Sequence, residues 1–213
     1  MNSCKNQKFN MNILLTAIGS MSALCAINNL HKAGHKVIGC DIYPKEWHYE
    51  ASQCDVFEQA PYANTEEYIP FLLKLAKEND VKYLFPLTDL EIDVINPKRE
   101  LFEQEGITVC ISSRETLKIA RNKYSLFKAF KDDETVPSVP TYTLEDDLTK
   151  LKYPCVAKPR DGRSSEGLCY LQNENQLNEI KHISSYIFQE KIEGSVCTVD
   201  YVRDPLTGYS FCV

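Results

Sequence analysis

The run Tyr153–Leu171, YPCVAKPRDGRSSEGLCYL, decides how the rest of the chain is read. Tyr153–Lys158 is apolar up to its closing lysine, and Leu168–Leu171 is apolar again. Between them lie Gly162, Ser164, Ser165 and Gly167, with Arg160 and Arg163. Short apolar runs bounded by Gly and Pro favour strands over helices, so the stretch reads as strand, pliable polar loop, strand. A loop of small residues lets backbone N–H groups approach an anion closely, and its hydroxyls add donors. Lys158 would aim a compact positive charge at the same place. These residues suit a clamp on a triphosphate. The alternative is a polar hairpin with a solvated lysine, because Gly/Ser-rich turns are common.

Upstream lie Arg121-Asn122-Lys123-Tyr124, then Leu126, Phe127 and Phe130, then Val136-Pro137-Ser138-Val139-Pro140. Downstream, Tyr186-Ile187-Phe188-Gln189-Glu190-Lys191-Ile192-Glu193-Gly194 runs on to Thr198-Val199-Asp200. A lysine-bearing helix, a Pro-containing lead-in, a strand ending in Lys-Pro, a Gly/Ser loop and a strand reaching Glu-x-x-x-Gly thus follow one another. In that order the chain resembles the ATP-grasp superfamily, which includes the carbamoyl-phosphate synthase large subunit, biotin carboxylase and many carboxylate–amine ligases. The motifs cover residues 119–213. A weaker likeness, to the Rossmann-like domain that precedes ATP-grasp domains, covers Met11 to Ser113.

The resemblance implies roles that composition does not. Lys123 and Lys158 match the two lysines that meet ATP phosphates. Arg160 to Gly167, with Ser164 and Ser165, match the mobile lid over the triphosphate. Gln189, Glu190, Lys191 and Ile192 match the hinge whose backbone holds the adenine edge. One departure stands out. The family usually has a second glutamate shortly after the hinge glycine, on the ribose hydroxyls, whereas this chain reads Gly194-Ser195-Val196-Cys197. Either the ribose is held otherwise or affinity is weakened, since a hydrogen bond to a charged group is worth about 1.5–3 kcal/mol.

The expected fold is α/β. After a disordered stretch at 1–11 comes a Rossmann-like preATP-grasp domain with a parallel sheet, 12–113. The first, α+β lobe of an incomplete ATP-grasp domain follows at 114–213. The 213 residues suffice for one large domain or two small ones, and 43% hydrophobic content supports a real core. A net charge of −6 argues against general nucleic-acid binding, which calls for a basic face. The nine cysteines contain no C-x-x-C pair. Cys25, Cys40, Cys110, Cys155 and Cys169 sit in apolar periodic segments, where free cysteine acts as a small hydrophobe. A structural zinc and a disulfide framework are not expected, and the reducing cytoplasm fits best. No signal peptide and no membrane span are read. His31, His35, His48 and His182 fall in no catalytic constellation and are read as surface or structural.

Along the chain, Asn12–Ala17, a Gly19 turn, a helix over Met21–Ala33 and a strand Lys36–Asp41 follow in a Rossmann-like order. Only Gly19 stands where G-x-G-x-x-G needs three glycines, so the reading is a doubly wound scaffold without a dinucleotide site. That weakens a rival reading as a nicotinamide-dependent oxidoreductase. Asp41 reads either as a turn residue or as a ligand contact. Further on come a helix over Thr65–Glu78, a strand at Tyr83–Phe85 and the segment Pro86-Leu87-Thr88-Asp89-Leu90-Glu91. Ligands bind outside the carboxyl ends of such strands, which places Asp89 and Glu91 to meet an amine or cationic substrate. The P-x-x-D-x-E pattern also resembles that of preATP-grasp domains in amino-acid ligases. The structural alternative makes Asp89 a helix cap and sets Glu91 beside the helix dipole. Helices are expected at Leu90–Glu105, bent at Pro97, and at Tyr124–Lys131, Leu144–Leu151 and Asn175–Ile183. Strands are expected at Val196–Arg203 and Tyr209–Val213.

The expected activity is ATP-dependent carboxylate–amine (or ammonia) ligation through an acyl phosphate. A non-catalytic nucleotide-binding or assembly module is the alternative. The resemblance implies ATP and Mg²⁺ as cofactors. The metal ligands are expected beyond Val213, in a second lobe, with none in this chain. A shortened chain, a split gene or a proteolysed product would explain a strand at the very terminus, and such a piece would show little ligase activity. The expected partners are small-molecule carboxylate and amine substrates, with either a homo-oligomer or a missing second lobe as protein partner; neither nucleic acid nor membrane is expected.

Overall fold

A computed structural model describes residues 10–204 and 206–212. Residues 1–9 of the expected disordered stretch, and Val213, lie outside the described residues. The chain divides into two compact units, the first ending at Arg114 and the second beginning at Glu115.

The first unit is built on strand β1, Asn12–Thr16, whose last four residues are all buried. A central parallel strand is covered on both faces, which is why it reads as an unbroken apolar run. Its side chains alternate. Leu14 joins a core with Ile38, Leu72, Leu84, Ile95 and Phe102, while Ile13 and Leu15 join Ile27 and Val37 on the other face. Burying each such side chain contributes about 1.5–3 kcal/mol. Helix α1 runs from Ala23 to Ala33 and stops at Gly34, whose φ of 90° suits glycine; the Gly34 N–H closes back on His31 and Leu30. Then come β2 (Lys36–Asp41), α2 (Tyr49–Gln53), β3 (Val56–Gln59), α3 (Tyr68–Glu78), β4 (Val81–Pro86), α4 (Asp89–Ile95), α5 (Arg99–Gln104) and β5 (Thr108–Val109). The sheet order is β3-β2-β1-β4-β5, with every pairing parallel. The chain leaves β1 toward β2 on one side and returns to β4 on the other. The carboxyl ends of β1, β2 and β4 therefore share one crevice at a topological switch point.

The connection between units carries α6 (Arg114–Ala120). In the second unit α7 spans Lys123–Phe130, capped by the Asn122 carboxamide, which accepts from the Tyr124 and Ser125 N–H groups at 3.1 and 3.0 Å. Strands β6 (Thr141–Tyr142), β7 (Cys155–Pro159), β8 (Cys169–Leu171) and β9 (Tyr186–Glu190) form an antiparallel sheet in the order β6-β9-β7-β8, with α8 at Glu174–Ile180. Cys155 and Ala157 point into a core with Leu171, Leu177 and Phe188. By strand parity Lys158 stands on the opposite face. Strands β10 (Tyr201–Arg203) and β11 (Ser210–Cys212) make a separate ribbon.

Several expected elements are shorter than their patterns suggested. Leu144–Leu151 holds only a 3₁₀ turn, Leu148–Lys150. The Asp146 carboxylate accepts from the Thr143 N–H and hydroxyl, and Asp147 caps Thr149, so side chains outcompete helix bonds before Leu148. The expected strand Val196–Arg203 is reduced to Tyr201–Arg203, the part that faces Ser210–Cys212. The expected bend at Pro97 is a break: Asn96–Lys98 is 3₁₀ between α4 and α5, because proline cannot continue the ladder.

Candidate functional site

The hairpin of β7 and β8 presents Lys158 at its loop end, just past the last pair, Ala157 with Cys169. The N–H of Lys123, the first residue of α7, donates to the Arg160 carbonyl at 2.7 Å, which pins the helix start against the loop. The Lys123 ammonium reaches the Gly162 carbonyl. Both lysines line one hollow of about 170 Å³ with Gly162, Arg163, Ser164 and Ser165, and Glu166 is also on its wall. Burial, and then the neighbouring Lys123 charge, hold the Lys158 ammonium below its ordinary pKa. Among the described residues no carboxylate pairs with Lys158. An anion placed between the two ammonium groups would relieve their repulsion.

The loop backbone is unusual. Ser164 and Ser165 have φ of 49° and 58°, and Gly167 has φ of 70°. Successive non-glycine residues in the left-handed region cost energy and cluster at ligand sites. The Glu166 and Leu168 N–H groups are used inside the loop, on Arg163 and Ser165. Gly167 is held through its carbonyl by the Tyr186 hydroxyl at 2.8 Å.

The remaining candidates lie elsewhere. Arg160 turns to the backbone: its guanidinium donates to the Ser184 carbonyl at 2.9 Å, and its N–H to Ser185. Gln189 donates to the Thr141 hydroxyl at 2.7 Å, Glu190 faces Lys152 at 3.7 Å, and Lys191 pairs with Glu193. The Lys191 N–H is taken by the Pro154 carbonyl, and Ile192 is exposed. None of Gln189, Glu190, Lys191 and Ile192 lines the lysine hollow.

In the first unit Thr88, not Asp89, holds the N-cap position of α4, and Asp89 opens the helix. Glu91 points inward and is buried, accepting from the Tyr68 hydroxyl at 2.6 Å and the Thr88 hydroxyl at 2.9 Å. Burial, then the Glu91 charge, push the Tyr68 hydroxyl far above the ordinary phenol value, so it stays a donor. Asp41 is buried at the end of β2, accepting from the Gly19 N–H at 2.9 Å and the Tyr43 N–H at 3.1 Å. Asp41, Glu91, Tyr68 and His48 line a second hollow, about 280 Å³, at the carboxyl edge of the sheet; Asp89 does not. His48 and Tyr68 carried no functional signal in the sequence, since only the fold brings them to Asp41 and Glu91.

Residues 13–110 match the PylC-like N-terminal domain family, and residues 120–213 match the ATP-grasp domain family. Among curated proteins, a D-alanine–D-alanine ligase of Petrotoga mobilis is 30% identical over 108 residues, covering 48% of this chain and 36% of that protein. Two solved structures are similar in fold. One is pyruvate carboxylase of Rhizobium etli (TM-score 0.69, 17% identity, 95% of this chain and 20% of that one). The other is biotin carboxylase of Campylobacter jejuni in a β,γ-ATP complex (TM-score 0.68, 17% identity, 85% of this chain and 45% of that one). The matches thus span less than half the length of each of these relatives. No helix among the described residues is long and apolar enough to cross a membrane.

Proposed function

This chain belongs to the ATP-grasp superfamily, and on that premise we propose that it is the nucleotide-holding part of an ATP-dependent carboxylate–amine ligase. The observation that carries the proposal is the meeting of Lys123 and Lys158 in one serine-lined hollow. Lys123 comes from a helix start and Lys158 from a strand end, so each is placed by a different element of regular structure. Their ammonium groups, the Arg163 guanidinium and the Ser164 and Ser165 hydroxyls would balance the charge of the triphosphate. The protein's part is positioning and charge stabilisation rather than nucleophilic attack. In the proposed reaction ATP activates a carboxylate as its acyl phosphate, which an amine then attacks. Mg²⁺ would share in neutralising the phosphate charge, and no ligand in this chain is assigned to it. The loop, closing over the phosphates, would keep water from the acyl phosphate.

Calorimetric titration with ATP, with and without Mg²⁺, tests the assignment on the chain as it stands. Replacing Lys158 by Ala should weaken ATP binding by about 1.5–3 kcal/mol, the worth of a charged hydrogen bond. Equal affinity in Lys158→Ala would reject Lys158 as a phosphate ligand.

A further inference from the structure

We propose that Lys158 is a covalent modification site, whose amine takes the acyl group from a small acyl phosphate docked by its phosphate in the lysine hollow. Lys158 is half-buried in the wall of that hollow, and no carboxylate among the described residues holds its ammonium. A lysine is a nucleophile only as the free amine, and loss of water beside another cation favours that form. Burial, then the Lys123 charge, act on Lys158 in this sense. Other lysines stand differently. Lys74 faces Glu78 at 3.8 Å and Lys152 faces Glu190 at 3.7 Å, and both are largely exposed.

The rest of the lining suits the leaving group. Lys123, Arg163, Ser164 and Ser165 share the hollow with Lys158. The Arg163, Ser164 and Ser165 N–H groups donate to no acceptor among the described residues, whereas those of Gly162, Glu166 and Leu168 are used inside the loop. Glu166, the acid on this lining, is exposed and faces three basic side chains, those of Lys123, Lys158 and Arg163, across the hollow. A phosphate dianion thus has cations and free donors to bind, and a volume of about 170 Å³ has room for a short acyl chain beside it.

In the step itself the free Nζ attacks the acyl carbon. A C–N bond forms, and the C–O bond to phosphate breaks. The electron pair of the broken bond leaves with the phosphate, which also takes the proton lost by nitrogen. Lys123 and Arg163 stabilise the charge that grows on the departing oxygen. The product is a neutral amide in place of the ammonium. Acylation would therefore switch off triphosphate binding. That consequence rests on the function proposed above, whereas the acylation does not.

The full 213-residue chain is incubated with acetyl phosphate, and acetylated lysines are mapped by peptide mass spectrometry. Lys158 should react about tenfold or more faster than Lys74 or Lys152, since docking raises the effective concentration of reagent. Inorganic phosphate should suppress that excess. The N-hydroxysuccinimide ester of acetic acid, which carries no phosphate, should lose most of it. Lys123→Ala should slow Lys158 about tenfold and leave Lys74 unchanged, because the phosphate loses a cation beside the amine. Uniform acetylation of the three lysines would overturn the proposal. So would an excess at Lys158 that the ester reproduces and phosphate leaves untouched, a result open to the native chain even if Lys123→Ala does not fold. ATP should slow acetylation of Lys158. Selective acetylation that ATP leaves unchanged would count against the nucleotide reading alone, and tight ATP binding with Lys158 unreactive would count against this proposal alone.

Discussion

The two hollows are made by opposite means and carry opposite charge. In the second unit the positive hollow is largely local: Lys158 to Leu168 belong to one hairpin, and only Lys123 comes from farther away. In the first unit the negative hollow gathers Gly19, Asp41, Tyr68 and Glu91, which lie on separate connections of a parallel sheet. A parallel sheet sets all its strand ends at one edge, so residues distant in sequence meet there. A hairpin brings together only neighbours. Lys158 of the hairpin also feels the charge of Lys123 from α7, whereas Asp41 and Glu91 accept from neutral donors, with His48 3.3 Å from Asp41. Burial and the Lys123 charge thus lower the Lys158 pKa in one hollow, while hydrogen bonds orient the carboxylates of the other.

Substitutions that touch one hollow should leave the other intact. The largest effect is expected for Gly167→Ala. At φ of 70° a side chain is strained, and the new Cβ would lie 2.8 Å from the Tyr186 hydroxyl and 3.0 Å from Pro159 Cγ. The second unit should lose about 2–4 kcal/mol in urea unfolding, while the transition of the first unit is kept. An unchanged midpoint would show that the hairpin relaxes freely. Next comes Tyr68→Phe, which deprives buried Glu91 of its 2.6 Å donor. The first unit should lose about 1–2 kcal/mol, with ATP binding unaltered. Loss of ATP binding in this variant would break the separation of the two hollows.

The smallest effect is in pH dependence. Burial and Lys123 lower the Lys158 pKa in the folded chain, so the unfolded chain binds more protons in the window between the two values. Stability therefore rises with pH across that window. ATP affinity goes the other way: it is full below the folded pKa and falls as pH rises through it, because the ammonium is lost. ATP titrations across the alkaline range should show this fall in the native chain, and Lys158→Arg should delay it, since a guanidinium keeps its charge. Identical pH profiles for the two would remove Lys158 from the phosphate contact.

Much of this architecture was legible in the residues. Apolar runs with the right punctuation predict β1, α1, β2 and the β7–β8 hairpin within a residue or two. The Gly/Ser loop after Lys158 is legible as a pliable turn because glycine and serine accept the backbone angles such a turn needs. Pattern also misled where side chains compete with the backbone, as at Asp146 and Asp147, and where an apolar stretch has only a short partner strand, as at Val196–Arg203. It could not show that Arg160 would turn to the Ser184 carbonyl instead of toward the lysines.

Patterning alone thus settles the α/β alternation and the β7–β8 hairpin, since periodicity and turn chemistry are local properties of a chain. The acid-floored hollow was decided only by folding. Asp41 reads as a turn residue or a ligand contact, Glu91 as an amine contact or an acid beside the helix dipole, His48 as surface or structural, and Tyr68 only as part of a helix. Their meeting depends on strand order and on which way each helix enters the sheet edge. Those follow from long-range packing of Leu14, Leu72, Leu84 and Phe102 in a shared core, which no local stretch of residues encodes.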